Sequence, residues 1–409
     1  MPTNPTLALR LLFTATLSIA ASTHAADWYR WRGPDLNGIS TETGWSTNWP
    51  AEGPKQLWKT TVGLGYSSFA ISQGRAYTTG HNGSKTDGID TIYCFDAVTG
   101  QEVWKHSFPC PLDDHFYQGG TTGTPTVDGD QVYSISKKGD LFCLDAAKGT
   151  VVWSKSLPKD YGYEVAEWGI ASSPFIVGDV LYLNAGKSGT ALNKKTGAIV
   201  WASDKSGNGY GNVVPFKSGG EERLAIFSSG TMEVVKMSDG KSLWSYPWKN
   251  SSSVNAGDPI ISDGKMFFGS GYSRGCTLLD ISKEQPASVW ENKNICNRVG
   301  VPILWKGYIY CSQEKARGQL TCLDWNTGEV KWSEPTMGQA GLTMADGKLI
   351  ILSEKGELVV AEASPDAFKP ICRAKVLNAS CWTNPVLSNS RVYCRDCKGN
   401  LVCVDVSGK

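Results

Sequence analysis

A phrase of the form C-x-D-x-x-T-G-x-x-x-W recurs down this chain, with successive closing tryptophans 42 to 49 residues apart. It is clearest in YCFDAVTGQEVW ending at Trp104, FCLDAAKGTVVW ending at Trp153 and TCLDWNTGEVKW ending at Trp332; weaker copies end at Trp201, Trp244 and Trp290. A repeat of this length is too long for a solenoid of single strands and suits one four-stranded sheet per unit. In the second unit, four short alternating segments are separated by Asp128-Gly129, Lys138-Gly139-Asp140 and Lys148-Gly149. Asp96, Asp145, Asp280, Asp324 and Asp405 open the last turn of their units, where a carboxylate accepts backbone N–H groups two residues on. The closing tryptophan reads as a packing group whose ring docks on the neighbouring sheet.

Eight units can be counted, but two are irregular. The seventh, LVVAEASPDAFKPI, has no closing tryptophan and ends near Cys372, and the eighth stops after its third strand. The missing strand is available at the other end, where KQLWKTTV around Trp58 reads like the last strand of a unit. The expectation is an all-β, eight-bladed β-propeller of four-stranded antiparallel blades, its ring closed by that N-terminal strand so that no sheet edge stays open. A seven-bladed ring is the alternative.

Before the repeats, Arg10 precedes the apolar run LLFTATLSIAA and the small residues of STHAA. This predicts a signal peptide over residues 1–25, a tryptophan-rich extension over 26–54 and the propeller over 55–409. The run is shorter than the roughly 20 apolar residues of a membrane span, so the mature chain is expected to be periplasmic or extracellular, without a transmembrane segment. A net charge of +1 with scattered Lys and Arg gives no electrostatic footprint for nucleic acid. Of the 12 cysteines, Cys94, Cys143, Cys322 and Cys403 share one repeat position and read as small buried hydrophobes. The other eight could pair on export, with Cys276–Cys296 and Cys372–Cys381 as possible couples.

The Asp/Thr-Gly/Trp phrase resembles the tryptophan-docking motif of pyrroloquinoline-quinone (PQQ) type propellers, among them quinoprotein alcohol dehydrogenases and the propeller subunit of the bacterial outer-membrane assembly machine. Nearer still, Trp28-Tyr29-Arg30-Trp31-Arg32-Gly33-Pro34 with Gly38-Ile39-Ser40, and GSGYSRGCTLLDI from Gly269, are similar to exported PQQ-like repeat proteins of planctomycetes. Some of those carry the label polyvinyl-alcohol dehydrogenase. The dehydrogenase resemblance implies PQQ, a Ca²⁺ held by hard oxygen ligands, an Asp base and a disulfide between adjacent cysteines. The sequence has no Cys-Cys dipeptide and no recognisable trio of Ca²⁺ ligands.

Segments that open a unit should line the central channel: Ser172-Ser173-Pro174, Asn255 to Pro259 and Trp382 to Pro385. Trp168, Asn255, Asp258, Arg298, Trp382 and Asn384 are the candidates for a channel mouth with stacking surfaces and a few convergent polar groups. The long insertion HSFPCPLDDHFYQGG reads as an exposed polar loop; its Asp113, Asp114 and His115 are too close in sequence to converge on one ion. Cys394-Arg-Asp-Cys397 spans a hairpin turn and lacks the second pair of a zinc site. Three readings follow. The leading one is a non-catalytic propeller that binds a protein or a cell-envelope polymer on one face. The second is a PQQ- and Ca²⁺-dependent alcohol oxidoreductase. The third is a polysaccharide-binding module, suggested by Trp28, Trp31, Trp45 and Trp49, although those rings read more simply as clamps holding the tail to the propeller's outer wall.

Overall fold

Eight sheets stand around one axis in the computed structural model, which describes Met1, residues 27–115 and residues 117–408. The expected signal peptide lies outside the described residues. Blade 1 comprises Ala70–Ser72, Arg75–His81, Ile89–Asp96 and Glu102–Pro109. Each later blade repeats that antiparallel order, and the first strands of neighbouring blades touch one another, which places them innermost. The eighth blade takes its outer strand from Gln56–Thr61, paired antiparallel with Asn400–Asp405. Ring closure by the Trp58 strand and the count of eight blades are therefore both found.

The repeated phrase works as a joint between blades. Asp96 Oδ1 accepts the N–H groups of Val98 at 3.0 Å and Thr99 at 2.7 Å, which fixes the turn. Those hydrogen bonds stabilise the ionised carboxylate and lower its pKa. The turn presents the next carbonyl and a glycine to the preceding blade. Trp58 Nε1 donates to Ala97 O at 3.2 Å, Trp104 to Ala146 O at 2.9 Å and Trp153 to Lys194 O at 2.9 Å. Trp201, Trp290 and Trp332 repeat the bond on Met237, Trp325 and Ser364. The ring lies over the glycine: a Cβ on Gly149, whose φ is +70°, would stand 2.5 Å from the Trp104 ring. Glycine is thus required twice over, by the backbone and by the neighbour.

Every outer strand carries a β-bulge next to its docking position. Trp104 pairs with Cys94, whereas Glu102 pairs with Phe95, so Val103 is the extra residue. The same slip sets off Leu57, Val152, Val200, Leu243, Val289, Lys331 and Ile371. A bulge turns the following side chain inward and interrupts an edge that would otherwise template a foreign strand.

The tail corrects one expectation. Only its later part, with Trp45 and Trp49, packs at the outer strand of blade 7, whereas the earlier part, with Trp28 and Trp31, runs through the ring, across the inner strands. Trp28 bridges to Ile71 of blade 1, Tyr29 O accepts Val127 N–H of blade 2 at 2.8 Å, and the Arg30 guanidinium lies 5.2 Å from the Phe175 ring of blade 3. Ile39–Ser40 then pairs in parallel with Met344 and Ala345 of blade 7, and Glu42 accepts two backbone N–H groups of blade 8. Where blade 7 has Cys372 in place of tryptophan, this strap supplies the joint. Ser46 N–H takes the docking carbonyl, Val406 O, at 2.6 Å, and Trp45 is buried among Val360, Val392, Val404 and Val406.

All twelve cysteines are free thiols, so neither expected couple forms. Cys372 sits at the half-buried docking position of an outer strand, whereas Cys381 lies on a channel loop with its Sγ 3.3 Å from Ala379 O. Cys276 Sγ is directed to Asn292 Oδ1 and Cys296 Sγ to Lys293 O. Cys94, Cys143, Cys322 and Cys403 are fully buried in the apolar clusters, and burial raises their thiol pKa values.

Trp104→Ala is expected to lower the unfolding free energy by about 3–5 kcal/mol in urea denaturation, the range for truncating a buried large aromatic residue. A chain lacking residues 1–61 should not melt cooperatively, because blade 8 then loses its outer strand; native-like melting of that chain would contradict the closure.

Candidate functional site

The strap closes the ring at depth. Trp31 Nε1 donates to Asp258 Oδ2 at 2.7 Å, and Asp258 Oδ1 accepts Asn212 N–H at 2.7 Å. Asn212 Nδ2 adds contacts of 3.2 and 3.3 Å to the two carboxylate oxygens. Arg32 is buried beside them, 3.9 Å from Asp258, and donates to Pro302 O at 2.7 Å. Burial lowers the Arg32 pKa, and the Asp258 charge opposes that shift. Asp258 is therefore a latch that joins the strap to blades 4 and 5.

Above the latch, Trp31 helps line a cup of about 260 Å³ with Tyr66, Tyr117, Trp168, Tyr210, Tyr272, Arg298 and Trp382. Most of these residues precede an inner strand, so the loops entering the channel present them together. Tyr117 comes from the long insertion and Tyr272 from a hairpin of blade 5. The rings form a continuous arc. Trp382 stacks on Tyr66 at 5.5 Å and 17°, Tyr66 meets Tyr117 at 5.6 Å, and Tyr117 meets Trp168 at 5.8 Å. Trp168 N–H points to Tyr210 Oη at a long 3.5 Å. Tyr272 and Ser273 hold φ of +56° and +57°, left-handed values uncommon for residues with a side chain. Burial raises the hydroxyl pKa values of Tyr66, Tyr117 and Tyr210, which keeps these groups neutral.

The insertion is more than a polar loop. Lys137 Nζ donates to Tyr117 Oη at 2.5 Å, Lys138 pairs with Asp113 at 3.3 Å, and Tyr66 Oη donates to Gln118 at 2.8 Å. Asp114 pairs with Lys85. Beneath the loop, His81 Nε2 lies 3.0 Å from Cys110 O while its Nδ1 accepts Gly83 N–H, and Asp90 is buried beside them. Burial raises the Asp90 carboxyl to about 6, against the Cys110 hydrogen bond and the fields of His81 and Lys137.

Of the six mouth candidates, the structure brings Trp168, Arg298 and Trp382 together in the cup. Asp258 lies below it, in the latch. Asn255 and Asn384 serve as pins between segments: Asn255 Nδ2 donates to Ser228 O and Trp248 O, and Asn384 Oδ1 accepts Leu342 N–H. Sequence reasoning missed Tyr66, Tyr117, Tyr210 and Tyr272 as lining residues, and Trp31 as part of the site. Arg395, inside the C-x-x-C turn, is fully buried and donates to Ser67 O, Thr79 O and Thr78 Oγ1, which ties blade 8 to blade 1.

A calcium-bound quinone does not fit this donor set. Among the described residues no three His, Cys, Asp or Glu side chains converge. The carboxylate beneath the cup, Asp258, is engaged by Trp31, Asn212 and Arg32, Glu354 is engaged by Trp382 and Gln339, and the Asn255 side chain is likewise engaged.

The family model described as outer membrane protein assembly factor BamB matches residues 88–334. The chain belongs to that family. No curated protein matches this BamB-family chain. Among solved structures it is similar to BamB from Moraxella catarrhalis, with a TM-score of 0.63 and 15% identity over 86% of this chain and 99% of that one. It is also similar to a quinohaemoprotein alcohol dehydrogenase from Pseudomonas putida HK5 (TM-score 0.66, 13% identity, 94% of this chain and 81% of that one). A third, from Comamonas testosteroni, has a TM-score of 0.66 and 12% identity over 95% and 82% of the two chains. At such identities the likeness extends to the fold, and the chemistry of this BamB-family propeller rests on its own residues.

Asp258→Ala leaves Arg32 buried without its carboxylate and is expected to cost roughly 3 kcal/mol in urea denaturation, with new proteolytic cuts within residues 27–40. A loss under about 1 kcal/mol, with the strap still protected, would refute the latch. Asp90 gives a pH signature. Its folded pKa is raised above the unfolded value, so its contribution penalises stability above about pH 6 and the penalty fades as pH falls toward 4. Asp90→Asn should therefore raise the melting temperature at pH 7.5 and give no gain near pH 4.

Proposed function

We propose that this chain is an exported, periplasmic or extracellular binding propeller, a non-catalytic scaffold that holds a protein or a cell-envelope polymer at the mouth of its axial cup. One observation carries this reading: the mouth gathers six half-buried aromatic rings and one guanidinium, whereas the carboxylate below it, Asp258, is spent in holding the floor and Glu354 and Glu314 are held by Trp382 and Ser273. Aromatic walls with few polar groups bind by stacking and shape. Among the described residues no His, Cys, Asp or Glu side chain lines the space they enclose, and the Thr122 and Ser173 hydroxyls there are engaged by backbone groups. The likeness to BamB, an assembly factor by its printed description, supports binding over turnover and agrees with an envelope location. The apolar run before the strap supports export.

Two measurements test the reading. The mature protein is incubated with PQQ and Ca²⁺ and assayed for alcohol-dependent dye reduction; sustained turnover would overturn the scaffold assignment. Separately, retention on immobilised cell-envelope polymers and on immobilised envelope proteins is compared with that of Trp382→Ala and Trp168→Ala. Retention that drops at least about tenfold in both variants, with melting unchanged, is the expected result, because each removes a stacking wall.

A further inference from the structure

Within the cup one group stands apart. Arg298 is half-buried and makes no hydrogen bond or ion pair among the described residues, whereas the other charges around the mouth are committed. Lys137 is bound to Tyr117 Oη and lies 4.0 Å from Asp113. Glu354 accepts from Trp382 Nε1 at 2.9 Å and from Gln339 N–H at 3.1 Å. Glu314 accepts Ser273 N–H at 3.3 Å. Gly271 lets Arg298 approach the hairpin that carries Tyr272, because a Cβ there would stand 2.9 Å from that of Arg298.

We propose that the cup takes a flat, singly charged carboxylate: an aromatic body of one or two rings stacked between the mouth aromatics, its carboxylate paired with Arg298. This rests on the binding reading above and names the chemistry that the bound partner or ligand presents. Size follows from volume. An apolar cavity of about 150 Å³ holds benzene, so about 260 Å³ admits a somewhat larger flat group. Shape follows from the arc of rings, whose faces favour offset stacking. Sign follows from the uncommitted group: aromatic cages attract cations in general, but the charge that lines this cup is the Arg298 guanidinium, whereas Lys137, Glu354 and Glu314 are held in contacts of their own. A guanidinium fork matches one carboxylate in bidentate geometry. With one such fork free, the cup pairs with a single carboxylate and leaves the others of a tricarboxylate uncompensated.

The test is calorimetric titration of the full mature protein with 2-naphthoate, its neutral analogue 2-naphthamide, and the cation 2-naphthylmethylammonium. Naphthoate is expected to bind at least about tenfold tighter than the amide, the usual advantage of a charge-assisted hydrogen bond, and the cation weakest. Arg298→Gln should bring acid and amide to within about twofold of each other, with melting unchanged, and Arg298→Lys should retain part of the preference. Trp382→Ala should weaken all three probes together. Equal affinity for acid and amide in the wild type would overturn the charge assignment while leaving the cup a binding site. Absence of binding by all three probes would overturn the ligand class, and the polymer and protein retention experiment would then judge the binding reading independently. A preference for the acid that survives in Arg298→Gln would place the pairing cation elsewhere and also overturn the proposal.

Discussion

The indole on the last strand of seven of the eight blades, lying on the turn of the next blade, is the interaction on which this molecule depends. It joins an apolar face, a hydrogen bond from Nε1 and a glycine whose missing side chain makes room for the ring. Its direction is fixed, since wherever the tryptophan is present blade n gives it and blade n+1 gives the turn. Repetition therefore generates a ring instead of a stack. Trp58 then reaches Ala97 O, and the last joint meets the first. A chain of such joints is approximately a sum of nearest-neighbour terms, so a weak seam anywhere limits the whole.

The weak seam is visible. Blade 7 ends in Cys372, too small to span the gap, and blade 8 offers its docking carbonyl with no indole to meet it. The strap fills that place with Ser46 and Trp45. The same segment provides Trp31 beneath the cup and Arg32 beside Asp258. One stretch of chain therefore repairs the ring and shapes the site, which couples the stability of the fold to the depth of the cup.

Architecture was legible because it is periodic. Asp, Gly and Trp recur at set offsets, and each has a local physical task that can be named without a partner. The closing strand was legible for the same reason, as a unit fragment displaced to the other end. The cup was less so. Trp168, Arg298 and Trp382 stood out as large or charged residues ahead of an inner strand, but Tyr66, Tyr117 and Tyr210 lie in equivalent loops of irregular sequence and Tyr272 in a hairpin of blade 5, where no spacing marks them. Asp258 drew notice as a possible channel residue, yet its partner Trp31 is 227 positions away. No local pattern reveals that a tail rich in tryptophan enters the axis. Of the two cysteine couples, Cys372 and Cys381 are separated between an outer strand and a channel loop, whereas in Cys276 and Cys296 each thiol turns to a different oxygen, details set by tertiary packing and invisible in spacing.

Closure by the first strand has a consequence for the order of events in synthesis. Gln56–Thr61 emerges early, but the strand it pairs with, Asn400–Asp405, is made almost last. Through nearly the whole of translation that early strand lacks its partner, although the start of the strap can already meet blades 1 and 2. The Trp58 strand stays unpaired while seven blades accumulate. Such long-range pairing slows folding and leaves apolar surface open to misassociation. The final blade thus acts as a checkpoint: only a full-length chain can draw its own beginning through the ring and complete the cup.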